Sequence, residues 1–496
     1  MNAQLRHVTV VALVLLAVLI GFTTYWQSWA GGELANRQGN AVQLVAQLQV
    51  DRGTIYAANG TRLALSVPHK KNGLTTYSRR YIDNGAFSQL LGYATEGQTQ
   101  TGLELTLNDF LTGANTTLTN TFSQEVDRLG GKTVHGDNVT LTIKPTAQAL
   151  AEQLLAGRCG AVVAMNPKTG AVYAMASSPT YNPNLILRKN GYGKIAKIKG
   201  TCGDASALYD NATQGLYPPG STFKLVTASA ALNSGALTPN STFYDPGYCT
   251  EYGKRVSNAS SPDGRAEAYG NVTVAQGLEY SINSVFCNIG KQIGAAKILD
   301  YAKRYGFYSS PPLDTPSNTI YPSGLYSKGK LFDPANPATE VDPGTLAFGQ
   351  ERMLVTPLQM ALVAATIADG GSEPIPYLVQ KVTAPDGSIV TKTTPRRLGN
   401  PISSTTAAEL KSMMQLVVTG GTAAGVGFPS SLDVAGKTGT AELGLGNLYD
   451  AWFVCFAPAS NPQVAIAVVV EKQPNGFGAS ISAPIANAIL QNLLHG

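Results

Sequence analysis

Residues 217–235, YPPGSTFKLVTASAALNSG, decide what kind of protein this is. Pro218-Pro219-Gly220 stops whatever precedes it, and the run from Ser221 reads as an apolar-faced helix that closes at Gly235. Serine at a helix start with lysine three residues on places a hydroxyl and an amine on one face of the first turn. The helix N-terminus aims backbone N–H groups and partial positive charge at the same spot, which favours a developing oxyanion. Ser221 and Lys224 are therefore a candidate nucleophile and base. The lysine must be pulled below its ordinary pKa of about 10.4 by burial or a neighbouring cation.

The rest of the chain removes competing bases. His7, His69, His135 and His495 are the only histidines, so a Ser-His-Asp triad between residues 136 and 494 is excluded. P-loop, G-x-G-x-x-G and H-E-x-x-H arrangements are absent as well. S-x-x-K alone is weak, because Ser327-Lys328-Gly329-Lys330 repeats the spacing in a Gly-rich loop. Two further elements raise its weight. Ser281-Ile282-Asn283 follows a helical stretch, VTVAQGLEY (272–280). Its hydroxyl can relay a proton and its amide can hold a substrate carbonyl, although asparagine in a turn often serves only its own backbone. Lys437-Thr438-Gly439-Thr440 lies in DVAGKTGTAEL, readable as an extended edge strand. There Lys437 can steer a carboxylate and lower the pKa of Lys224, and the Thr438 hydroxyl can bind that carboxylate. Gly439 lets a substrate backbone approach, and the Thr440 N–H with that of Ser221 completes an oxyanion hole. A second K-T-G, Lys168-Thr169-Gly170, sits in a hairpin turn between AVVAM (161–165) and AVYAMAS (171–177). The specific signal is the ordered set of S-x-x-K, S-x-N and K-T-G in one histidine-free region.

Further out, Val8–Trp26 is apolar, uncharged and about long enough to span a bilayer, with Tyr25 and Trp26 suited to the far interface. Arg6 ahead of it predicts a cytoplasmic N-terminus and an uncleaved anchor in the cell membrane, everything after residue 27 lying outside the cytoplasm. A formal net charge of +5 with 14% charged residues gives no nucleic-acid footprint. Residues 27–40 read as a stalk. Residues 41–138, with turn signals at Asn59-Gly60, Asp83-Asn84-Gly85 and Gly130-Gly131, read as short strands and loops. From residue 139 onward come a strand (139–143), a helix (145–157), the hairpin above, two buried strands (451–458 and 464–471) and a closing helix (483–494). Helices packed on one antiparallel sheet make an α+β domain. The five cysteines form no C-x-x-C and no cluster with histidine, so no metal is expected. Cys159, Cys287 and Cys455 read as buried hydrophobes, while Cys202 and Cys249, in polar loops, are the pair an extracytoplasmic disulfide would use.

Taken with YPPGSTFK (217–224), SINSVFCNIG (281–290), FGQERMLVTPLQMALVAATIADGG (348–371) and KTGTAE (437–442), the chain resembles the monofunctional class B penicillin-binding proteins, nearest the actinobacterial penicillin-binding protein A group. DRGTIYAANGTRLA (51–64) resembles that family's R-G-x-I signature through Arg52 and Gly53, and TGLELTLNDFLTG (101–113) its G-L-E segment through Glu104. The resemblance implies a β-rich pedestal at 41–138, joined through Arg52 and Glu104, and a transpeptidase domain at 139–496. It implies a peptidoglycan D,D-transpeptidase that forms an acyl-enzyme on Ser221 at D-Ala-D-Ala of a stem peptide, without a cofactor. It also implies acylation by β-lactams and a multi-spanning membrane glycan polymerase as partner in division or elongation. Cys455 departs from the family's usual glycine. The rival readings are a membrane-anchored D,D-carboxypeptidase or class D-like β-lactamase, and a non-catalytic β-lactam sensor or division scaffold.

Overall fold

A computed structural model describes residues 2–25, 48–71, 73–83, 85–95, 99–114, 133–188, 190–200, 206–258, 267–444 and 446–495. Trp26, the expected stalk at 27–40, Asn84, the Gly130-Gly131 turn and Cys202 lie outside these residues. The first element is helix α1 (Asn2–Tyr25), whose His7–Tyr25 portion has a mean hydropathy of 2.4 and buries none of its surface against protein. The Thr23 and Thr24 hydroxyls donate back to the carbonyls of Leu19 and Ile20, so neither needs an outside partner in an apolar medium.

Two sheets form the body. Strands β1 (Ile55–Tyr56), β2 (Arg62–Lys71) and β3 (Leu74–Tyr81) open the first, followed by the short helix α2 (Gly102–Thr106) and by β4 (Asn138–Leu141). Helix α3 (Pro145–Leu155) begins on Pro145, whose missing N–H costs nothing at a helix start. β5 (Gly160–Met165) and β6 (Val172–Ser178) are the hairpin expected around Lys168–Gly170.

The middle of the chain supplies α4 (Lys224–Asn233), the hairpin β7 (Tyr248–Glu251) and β8 (Lys254–Ser257), then α5 (Val274–Glu279) and α6 (Asn283–Ile293). α7 (Pro357–Ala368), β9 (Val379–Thr383), β10 (Ile389–Lys392) and α8 (Ser404–Thr419) come next. β11 (Ala435–Glu442), β12 (Leu448–Ala457), β13 (Val464–Pro474) and α9 (Gly478–His495) finish the chain.

The antiparallel five-stranded sheet runs β11-β12-β13-β5-β6. β12, β13 and β5 are buried along most of their length, which is why they read as continuous apolar runs rather than as alternation. α3 and α9 pack on each other and on this sheet, while α7 lies over β12, β13 and β5 and carries α8 beside it. The fold is α+β. The other sheet runs β10-β9-β4-β1-β2-β3. Here β4 lies parallel to β1 (Val139 opposite Ile55) and antiparallel to β9 (Val139 opposite Val382). The sheet therefore joins residues from both sides of position 139.

Three local readings need correction. Ser221 does not open the α-helix. It sits in a 3-10 turn, Gly220–Phe223, with Gly220 at φ +51°, and the α-helix starts at Lys224. The closing helix begins at Gly478 and runs through Pro484, because a glycine at 478 can lie against the sheet: a Cβ there would be 2.1 Å from the Trp452 carbonyl oxygen. The expected Cys202–Cys249 disulfide is not formed, since Cys249 is a free, buried thiol whose strand β7 turns it inward toward α6. Cys287 and Cys455 are also free, whereas Cys159, read as an inert hydrophobe, is disulfide-bonded. Its Sγ faces Gly200, where a Cβ would come within 2.3 Å of it.

Candidate active site

The 3-10 turn carrying Ser221 is wedged against strand β11. Gly220 and Gly439 make the contact possible. A Cβ on Gly439 would lie 2.8 Å from Thr222 Cγ2 and 2.9 Å from Trp452 Cβ, and one on Gly220 would lie 3.0 Å from the Thr440 carbonyl oxygen. Trp452 Nε1 on the neighbouring strand donates to the Pro218 carbonyl at 3.0 Å and pins the approach to the turn. The smallness of Gly439, first read as room for substrate, is thus already required by the protein's own packing. Ser221 is half-buried, and among the described residues no partner hydrogen-bonds its Oγ.

Lys224 begins α4 and is fully buried. Its Nζ donates to the Ser281 carbonyl at 2.7 Å and to Asn283 Oδ1 at 2.8 Å, lies 3.3 Å from Ser281 Oγ, and sits 5.3 Å above the Phe286 ring. Lys437, equally buried, donates from Nζ to Ser281 Oγ at 2.8 Å and to the Thr438 carbonyl at 3.0 Å. The Ser281 hydroxyl therefore stands between the two amines. Ser281 holds φ +56°, an uncommon conformation for a non-glycine residue, and it is this twist that points both its carbonyl and its hydroxyl at Lys224.

Burial holds the Lys224 amine well below the usual lysine value, and the nearby Lys437 cation pushes it the same way. Burial brings Lys437 down to about 7. Two lysines sharing one dry site cannot both carry charge cheaply, so one is available as a base near neutrality.

The structure thus gathers Ser221, Lys224, Ser281, Asn283, Lys437, Thr438, Gly439 and Thr440 at the junction of the turn, α6 and β11. It leaves the look-alikes outside. Ser327 and Lys330 sit across a small surface hairpin, and Lys168 donates to Asn461 Oδ1 at the far end of β5.

Several residues of this neighbourhood carry no sequence signal. Thr422 shares a 2.6 Å hydroxyl–hydroxyl bond with Thr438, and its N–H donates to the Glu279 carbonyl. Asp245 takes the Ser284 hydroxyl, Asn258 Nδ2 and the Gly247 and Tyr269 N–H groups, fixing the start of α6 behind Asn283. Only proximity in the fold reveals them.

Away from this cleft, Arg52 Nη2 meets Glu104 Oε2 at 2.8 Å and Arg79 Nε meets Glu104 Oε1 at 2.6 Å. Burial pushes the Glu104 carboxyl up, but Arg79 and Arg52 outweigh it and hold it below its ordinary value. Gly53 passes so close to the next segment that a Cβ would lie 1.8 Å from the Asp137 carbonyl oxygen. Arg79, the more buried of the two arginines, has no motif around it to announce it.

Residues 160–491 match the penicillin binding protein transpeptidase domain, and residues 52–139 the penicillin binding protein A dimerisation domain. The chain is 32% identical over 520 residues to the peptidoglycan D,D-transpeptidase PbpA of Mycolicibacterium smegmatis, with 99% of this chain and 98% of the relative covered. It is 32% identical over 518 residues to PbpA of Mycobacterium tuberculosis, both covered to 100%. Among solved structures it is similar to the ceftriaxone acyl-enzyme of penicillin-binding protein A from M. tuberculosis, with a TM-score of 0.77 and 29% identity, across 91% of this chain and 100% of that one. It is also similar to a D,D-transpeptidase domain from Eggerthella lenta, with a TM-score of 0.74 and 32% identity over 90% of this chain and 99% of that one.

Proposed function

The chain belongs to the class B penicillin-binding proteins, and from that membership we propose that it cross-links peptidoglycan stem peptides as a serine D,D-transpeptidase, with Ser221 as nucleophile and Lys224 as base. The observation that carries this reading is the pair of buried amines meeting on the Ser281 hydroxyl beside the Ser221 turn. A neutral Lys224 takes the Ser221 proton as Oγ attacks the penultimate D-Ala carbonyl. The N–H groups of Ser221 and Thr440 hold the oxyanion. Ser281 passes the proton to the departing D-Ala amine, while Asn283 orients the peptide and Lys437 with Thr438 holds the terminal carboxylate. The resulting ester is then attacked by an amine of a neighbouring stem, which releases Ser221. A β-lactam acylates the same hydroxyl but keeps its leaving group tethered, so the adduct persists.

The apolar α1 helix suits a single-pass anchor. With Arg6 ahead of it, the orientation that follows puts the N-terminus in the cytoplasm and the catalytic body outside. On this arrangement residues 41–138 serve as pedestal, with Arg52, Gly53 and Glu104 as its joint, and 139–496 as the transpeptidase unit. Glycan strands come from a separate multi-spanning polymerase bound alongside.

Mass spectrometry after incubation with penicillin, and with a D-Ala-D-Ala thioester plus an acceptor amine, tests the function. A stable adduct on the wild type, none on Ser221→Ala, and transfer to the amine are expected. Hydrolysis without transfer would instead identify a carboxypeptidase, and adduct turnover within minutes a β-lactamase. Labelling that survives in Ser221→Ala would remove the nucleophile assignment altogether.

A further inference from the structure

Where strand β7 packs on α6, three side chains converge that the proposed transpeptidase reaction does not use. Cys249 and Glu251 project from β7 and Cys287 from α6, all three nearly or fully buried. One donor atom from each lies within 4.8 Å of the other two. Neither thiol is in a disulfide. Cys287 Sγ donates to Glu251 Oε1 at 2.7 Å, and Lys291 Nζ, half-exposed, donates to the same oxygen at 2.6 Å. Among the described residues Lys291 is the ammonium bonded to Glu251, with the Asp342 carboxyl also beside Glu251 and Lys224 within electrostatic range of Cys249.

We propose that Cys249, Glu251 and Cys287 bind one zinc ion. Two sulfurs and a carboxylate oxygen are a donor set that a borderline-soft, tetrahedral d10 cation accepts. Zinc–sulfur bonds of about 2.3 Å and zinc–oxygen bonds of about 2.1 Å set donors roughly 3.5–3.8 Å apart, against donor atoms that already lie within 4.8 Å of one another. The balance is explicit. Each thiol gives its proton to solvent as a sulfur–zinc bond forms, so two thiolates and one carboxylate meet a dication. The ion and its three ligands carry one net negative charge, which faces the Lys291 ammonium, now a counter-ion rather than a hydrogen-bond donor to Glu251, and the Asp342 carboxylate beside it. No electron transfer is involved. The spacing of these residues along the chain gives no hint of the site, because strand and helix meet only in the fold. Its consequence is mechanical: the ion ties β7 to the helix that opens with Asn283, one turn before Cys287, and so steadies a partner of Lys224.

The test uses the full-length chain in detergent with its Cys159 disulfide intact, stripped with chelator and titrated with cobalt(II) as a spectroscopic probe. Expected are a sulfur-to-cobalt charge-transfer band that saturates at one ion per chain, its loss on adding zinc, and at least 10-fold slower alkylation of Cys249 and Cys287 when zinc is present. Cys455, remote in its strand, is the internal control. Cys287→Ser and Glu251→Gln should abolish or weaken the band, and Lys291→Ala, which frees the carboxylate, should keep it. Alkylation unchanged by zinc and no cobalt band would reduce the cluster to hydrogen-bonded thiols. A Cys249–Cys287 disulfide in protein purified without reductant, together with no metal uptake after reduction, would replace the metal site by a redox pair. The wild-type arms do not depend on any variant folding.

Discussion

Lys437 is where charge, burial and function meet most tightly. With a pKa of about 7 in the folded chain and about 10.4 unfolded, its unfolded form binds more protons between those values. Stability therefore rises with pH across that window, by up to about 1.4 kcal/mol per pH unit for this one group. Lys437→Met should flatten that slope in thermal melts, and an unchanged slope would assign it elsewhere. The same number shapes catalysis. Acylation by penicillin should rise as Lys224 loses its proton and fall above about pH 7 as Lys437 does. Once the inhibitor carboxylate is bound it raises the Lys437 pKa, so the alkaline limb should move upward under saturating penicillin. Lys437→Arg, which stays charged, should lose that limb even where its rate is low. A limb of the same position in the arginine variant would give it to another group. The sequence motif named these lysines, but not the twist at Ser281 that joins them, because a positive φ at a serine is imposed by surrounding packing and leaves no mark in composition.

Among elements, the join between the Ser221 turn and β11 is the most sensitive to bulk. Gly439→Ala would drive a methyl against Thr222 Cγ2 and Trp452 Cβ at distances below 3 Å, with the Pro219 carbonyl oxygen at 3.1 Å. Separation of the strand from the turn by about 1 Å should slow acylation by about 10²-fold, against a stability loss of only about 1–3 kcal/mol. Stopped-flow acylation beside a melt distinguishes the two, and a stability loss with an unaltered rate would mean that the turn does not depend on the strand. Local pattern foretold β5, β6, α3, β12 and β13 well, since each buries a continuous apolar run or shows a clear start signal. It failed where pairing is remote. Nothing around Val139 indicates that its partner is Val382, and nothing around Thr438 points to Thr422.

For the molecule as a whole, the Arg52–Glu104–Arg79 cluster is the most buried charged tie among the described residues of the N-terminal region. Removing one partner of a buried carboxylate leaves charge uncompensated, which costs about 3–5 kcal/mol. Arg79→Ala should therefore lower the melting temperature of the region at residues 52–139 while leaving penicillin labelling of Ser221 in place. Its effect should also depend on pH in one direction. Because the folded Glu104 pKa is depressed, the tie stabilises above the unfolded value of about 4.3 and fades as pH falls through the folded one, so variant and wild type should converge in acid. Equal loss of labelling and stability would mean that the two regions melt as one.

The shared sheet also has a history in time. β9 and β10 cover a flank of β4 that is otherwise an open strand edge. A chain made from its N-terminus delivers β1 through β4 long before residue 379 arrives. Until then the nascent N-terminal sheet presents an unpaired edge to every neighbouring chain, the kind of surface that invites edge-to-edge aggregation. Synthesis thus creates a waiting period during which a chaperone has a defined strand to shield, and the speed of chain elongation sets how long that exposure lasts.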